Sequence, residues 1–171
     1  PEAQISKYGK IFRLLRKSGL GTEEANRRFY RKRRRVEGYH AAAFSYGLQS
    51  ITKKYSVAFS MWESSDHDFV LRTGEEPKAK YFPVQLKEYV PSFLNPAATF
   101  QQILDKLPCY VDSEDLNLVV YISRGMPAGP IGKLPNDVSL NSFWILGLVA
   151  GNPATFVLAG DYMEPEMSRV R

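Results

Sequence analysis

Three short runs rich in β-branched and aromatic residues constrain this chain most: YSVAFSMW at 55–62, DFVLR at 68–72 and YFPVQLKEYV at 81–90. Thr73-Gly74-Glu75-Glu76-Pro77, between the second and third, is strong turn chemistry. Runs of this length and spacing predict an antiparallel meander whose side chains alternate faces with a period of two. Pro83 cannot donate a ladder hydrogen bond, which puts the start of the third run near a sheet edge or bulge. Downstream, Asn95-Pro96 opens a predicted helix that carries Phe100, Ile103, Leu104 and Leu107 and stops before Pro108. LNLVVYISR at 116–124 is mostly apolar, as in a strand covered on both faces. A Gly- and Pro-rich loop at 125–136 leads to two last strands, at 142–150 and 154–163.

Upstream of the meander the period is helical. Ile5, Tyr8, Ile11, Phe12 and Leu15 mark an amphipathic basic helix that ends near Ser18-Gly19. Thr22 offers an N-cap, with Glu23 and Glu24 in the first turn, for a second helix running towards Gln49. Glu37, Ala41, Phe44 and Leu48 fall on one stripe of that helix. A carboxylate on a core-facing stripe is costly unless paired, hydrogen-bonded or bound to metal, so Glu37 is a candidate site residue. Gly38 could mark a kink or a boundary between two helices.

With 171 residues the chain can bury one sizeable core, and two parts are expected: a basic helical N-terminal arm at 1–36 and an α/β domain at 37–171. The longest apolar stretch, 143–160, is divided by Gly151-Asn152-Pro153 into strand-length pieces, so no membrane-spanning helix is expected. The opening PEAQISKYGK lacks the pattern of a secretory signal. Cys109 is the only cysteine, which rules out an intramolecular disulfide or a cysteine zinc cluster; it reads as a packing residue. A cytoplasmic location is the simple expectation.

Charge is uneven. Residues 1–36 hold 12 Lys and Arg against 3 acids, a net +9, whereas the remainder holds 11 against 15, a net −4. The run RRFYRKRRR, comprising Arg27, Arg28, Arg31, Lys32, Arg33, Arg34 and Arg35 around Phe29 and Tyr30, is a candidate nucleic-acid-binding surface. Arginine suits bidentate phosphate contact, and neutralising phosphates releases counterions without reading any base. The plainer reading is a solvated helix face.

Metal-assisted phosphoryl chemistry needs oxygen ligands around a hard divalent cation, with a cationic group close by. Gln85 and Lys87 are two apart on one predicted strand and therefore share a face. Asp68 begins the neighbouring strand, where its carboxylate can lie beside that pair. On the residues alone, Asp68 and Lys87 could instead form a cross-strand ion pair. Asp66 competes with Asp68, one strand period earlier, and Glu63 and Glu88 are further acids without a motif. His67 reads as a turn histidine.

HDFVL, a turn-rich hairpin and FPVQLKEY, followed by a helix and an apolar strand, resemble the PD-(D/E)xK (restriction-endonuclease-like) nuclease superfamily in its QxK variant. The likeness spans roughly 37–124. It implies an α/β fold with a core of helix, three-stranded meander, helix and strand around a central mixed sheet, here with extra C-terminal strands and the basic arm. It also implies a Mg2+ (or Mn2+) site that cleaves phosphodiesters, with Asp68 in the metal-ligand aspartate place, Gln85 in the (D/E) place and Lys87 in the lysine place. Glu37 would match the helix acid of some branches, and the Leu86 carbonyl would complete the ligand set of Glu37, Asp68 and Gln85. Two departures stand out: His67 where Pro is common, and the neutral Gln85, which removes one charge from the site.

The expected function is therefore a metal-dependent endonuclease acting on nucleic acid, DNA first, with Lys87 orienting water or stabilising charge and Gln101 or Gln102 touching substrate. Two alternatives stay open: a nuclease-like domain that binds nucleic acid without hydrolysis, and an α/β protein-interaction domain. A homodimer is compatible with either.

Overall fold

The computed structural model describes residues 33–53, 56–62, 64–110, 112–124, 134–135, 137–149 and 155–163. The helix expected at 5–18, most of the basic run, Glu63 and most of the loop at 125–136 lie outside the described residues. Helix α1, Arg33–Thr52, continues through the buried Gly38, so no boundary between two helices falls there. The division placed before Glu37 lies inside α1, and Val36 is already part of the core. Ala41 and Phe44 are buried and Leu48 packs on the core they join, as the stripe predicts. A Cβ on Gly47 would meet Leu158 Cδ2 at 2.9 Å; the bare backbone there lets α1 lie closely on the sheet.

Six strands form one mixed sheet in sequence order: β1 (Val57–Ser60), β2 (Phe69–Thr73), β3 (Lys80–Tyr89), β4 (Ser113–Ile122), β5 (Leu140–Val149) and β6 (Thr155–Ala159). β1, β2 and β3 are the expected antiparallel meander. β4 runs parallel to β3 and β5 parallel to β4, while β6 is antiparallel to β5. The fold class is thus α/β with a central mixed sheet. Pro83, opposite Val70, lies in the opening part of β3 that has no ladder partner on its other side, which is the open edge its sequence predicts. It is tolerated because the β4 pairing begins only at Val84, and the Asn117 side chain supplies a donor to the Pro83 carbonyl at 3.0 Å.

The second helix differs most from its expectation. Asn95 and Pro96 form turns, not a helix start, with the Asn95 side chain accepting the Ala97 N–H at 3.2 Å. Helix α2 is a single turn, Gln101–Leu104. It is entered through a reciprocal pair of Thr99 and Gln102 bonds of capping-box type. A 3-10 turn, Leu107–Cys109, follows and includes Pro108. Arg124 holds this stretch in place: its guanidinium donates to the carbonyls of Val90 (2.6 Å), Ala98 (3.2 Å) and Asn95 and lies over the Tyr89 ring.

The sheet is covered on both faces. Ala41, Phe44, Phe69, Val84, Val119 and Leu146 pack together on the α1 side, and Tyr89, Phe100, Leu104, Leu107, Leu118 and Val120 on the α2 side. Burying each large side chain contributes about 1.5–3 kcal/mol. Successive β3 residues therefore face different layers: Val84 the α1 side, Gln85, Lys87 and Tyr89 the α2 side.

Candidate functional site

Asp68 stands at the last step before β2 begins. Its backbone N–H donates to the Val84 carbonyl at 2.9 Å, and its Oδ2 accepts the Leu86 N–H at 2.7 Å. A side-chain oxygen thus replaces the backbone acceptor that β2 would supply if it were longer. Within a strand, the N–H and C=O of one residue point to the same side. The Leu86 carbonyl consequently faces the side of β3 on which Asp68 stands.

Gln85 and Lys87 face the α2 layer, whereas Asp68 precedes β2 and bonds the same Val84 that pairs with Phe69, so strand alternation does not set its face. Burial first, then the charges of Asp68 and Cys109, push the Tyr110 hydroxyl up to about 12. Gln85 is half-buried, and its Oε1 is buried with no hydrogen-bond partner. Lys87 is exposed and Asp68 half-buried. Asp68, Gln85, Lys87 and the Leu86 carbonyl are thus brought to one end of the β2–β3 pair. Glu37 is not brought to the face of Gln85 and Lys87: it is half-buried on α1, which covers the other side of the sheet.

A cleft of about 230 Å³ opens beside this group between β3 and the α2 segment, lined by Lys87, Glu88, Thr99, Gln102, Lys106 and Tyr110 over an apolar floor that includes Leu118. Lys106 and Tyr110 were not legible as site residues: Lys106 falls inside the predicted helix and Tyr110 just after its end, and neither carries a motif signal. Gln102 lines the cleft, whereas the Gln101 amide bonds Asp105 at 2.8 Å.

The remaining candidates lie elsewhere, and of these His67 also has a buried ring nitrogen, Nε2, without a hydrogen-bond partner. Ser64 accepts the N–H groups of Asp66 and His67 and meets His67 Nδ1 at 2.8 Å, which makes His67 a turn histidine. Asp66 is exposed on the same turn. The Glu88 carboxylate accepts the Ser123 hydroxyl. Cys109 is exposed, so it is not the packing residue expected. Of the basic run only Arg33, Arg34 and Arg35 fall within α1; the other four lie outside the described residues.

Among the described residues no three His, Cys, Asp or Glu side chains group as metal ligands, and no helix is long and apolar enough to cross a membrane. The donors at Asp68 are instead one carboxylate, one amide oxygen and one carbonyl, all hard oxygens of the kind Mg2+ and Mn2+ accept. The unpartnered Gln85 Oε1 fits a cation there. Comparison of the chain with protein-family models, with curated proteins and with solved structures gives no match.

Proposed function

We propose that this domain is a metal-dependent nuclease of the PD-(D/E)xK type, hydrolysing phosphodiesters in nucleic acid, with DNA as the expected substrate. The observation that carries the reading is the buried, unpartnered Gln85 Oε1, two residues from Lys87 on β3 and next to Leu86, whose N–H the Asp68 carboxylate accepts. Leaving such an oxygen unpaired costs about 1–3 kcal/mol, a cost that a bound cation removes. The element order of helix, meander, α2 segment and a strand parallel to β3 supports the same reading.

In this proposal Asp68, Gln85 and the Leu86 carbonyl hold Mg2+ or Mn2+, and Glu37 stands outside the ligand set. A divalent cation so held would polarise a phosphate oxygen and lower the pKa of an attacking water. Asp68 supplies the only formal negative charge, and its bond to the Leu86 N–H fixes the carboxylate in place. Lys87 reaches the same end of the strand as an exposed ammonium, suited to hold a non-bridging phosphate oxygen and balance developing charge. The basic run at 27–35 would hold the phosphate backbone without reading base sequence.

Titration with Mn2+ and cleavage of plasmid and single-stranded DNA test the proposal together. The parent should bind Mn2+ and cleave only with metal, and Asp68→Asn should lose both. Equal Mn2+ binding by parent and variant overturns the site. A second reading draws on the Asp68–Leu86 bond: a carboxylate that serves the backbone is retained even in a domain that binds nucleic acid without cutting it. Mn2+ binding without cleavage of any substrate would select that reading.

A further inference from the structure

The cleft between β3 and the α2 segment has two chemically distinct parts. Its polar lining brings two exposed lysines from separate elements, Lys87 on β3 and Lys106 after α2, together with one carboxylate, Glu88, the Gln102 amide and the Tyr110 ring. Its floor is apolar, formed by Leu118, Ile103 and Ala98. The two lysines and the apolar floor together suit a ligand that joins an anion to a flat ring. Tyr110 ties the cleft to the candidate metal centre, because the Asp68 charge reaches its hydroxyl.

The cleft is small, about 230 Å³, and a single nucleotide joins the two chemistries it offers, an anion and a flat ring. We propose that this cleft seats one unpaired nucleotide, its phosphate between Lys87 and Lys106 and its base against Tyr110 and the apolar floor. That the nucleotide adjoins the scissile phosphate rests on the nuclease reading above; the cleft's ligand does not. The substrate class that follows is a single strand, an overhang or a frayed end in preference to a blunt duplex.

The inference is tested without metal, so that it stands or falls apart from hydrolysis. Thymidine 5′-monophosphate, thymidine and inorganic phosphate are titrated into the full chain in EDTA and followed by NMR, beside Lys106→Gln, an exposed position that leaves the fold intact. The monophosphate should bind better than either fragment, and Lys106→Gln should weaken it by about tenfold. In the same buffer Lys106→Gln should lower the affinity for a single-stranded oligonucleotide more than that for its blunt duplex. Comparing the single-strand to duplex ratio between parent and variant removes the contribution of the basic run, which the two share. Absence of monophosphate binding, an unchanged affinity in Lys106→Gln, or the same ratio in parent and variant overturns the inference. A failure of Mn2+ to bind, with these results intact, would overturn the nuclease reading alone.

Discussion

The Leu86 backbone N–H donates to the Asp68 carboxylate at 2.7 Å, so the residue proposed to hold a metal also extends the β2–β3 ladder past the end of β2. Two substitutions separate these roles. Asp68→Asn keeps an oxygen acceptor for the Leu86 N–H and should leave stability nearly unchanged. Asp68→Ala strands that half-buried donor and should cost about 1–3 kcal/mol in urea unfolding. Both should abolish Mn2+ binding by calorimetry. Equal stability of the two variants would remove the ladder role.

Gln85 offers the opposite test, because its oxygen costs stability unless something occupies the site. Gln85→Leu should unfold at higher urea than the parent in EDTA, by about 1 kcal/mol, and at lower urea than the parent in saturating Mn2+. Gln85→Glu should bind Mn2+ more tightly, since it adds an anionic oxygen. Weaker Mn2+ binding by Gln85→Glu would take Gln85 out of the ligand set.

Period and turn chemistry made the meander readable, and the mostly apolar run at 116–124 marked β4 as a covered strand. Residue types two apart placed Gln85 and Lys87 on one face. Other features depend on long-range placement that no local pattern encodes. The brevity of α2 follows from the Asn95 turn and from Arg124, whose guanidinium crosses from the end of β4 to hold residues 90–98. The stripe through Glu37, Ala41 and Phe44 correctly marked a core-facing side of α1. It could not say which sheet face α1 covers, and that face is the one opposite Gln85.

Stability should also depend on pH through His40. Burial pushes its imidazole down to about 3 from the ordinary 6.5, and the ring stacks on Tyr121 with 3.7 Å between centroids. Between about pH 3 and 6.5 the unfolded chain binds a proton that the folded chain does not, so stability falls as pH drops through that window. Above it His40 contributes no slope. One proton corresponds to about 1.4 kcal/mol per pH unit. His40→Phe keeps a ring on Tyr121 and removes the titration, and so should lose about 2 kcal/mol less than the parent between pH 7 and 5 in urea unfolding. Parallel acid limbs for parent and variant would place the proton uptake elsewhere.

The basic run is tested by salt. Arg31, Arg33, Arg34 and Arg35 belong to a segment with net +9 attached to a remainder with net −4, so duplex binding should fall mainly on the segment. Each duplex phosphate neutralised contributes a slope of about −0.9 to log K against log salt, and phosphate contacts carry no base information. Replacing all four with Gln should therefore weaken binding uniformly across sequences and flatten the slope by roughly one unit for each phosphate that is no longer neutralised. Mn2+ binding should not change, because the proposed metal ligands lie on β3 and the step before β2, outside the substituted run. Binding to two unrelated duplexes at several salt concentrations makes the comparison. A variant that keeps the parental slope would assign the run to a solvated helix face, and the negatively charged remainder would then have to engage nucleic acid through Lys87 and Lys106.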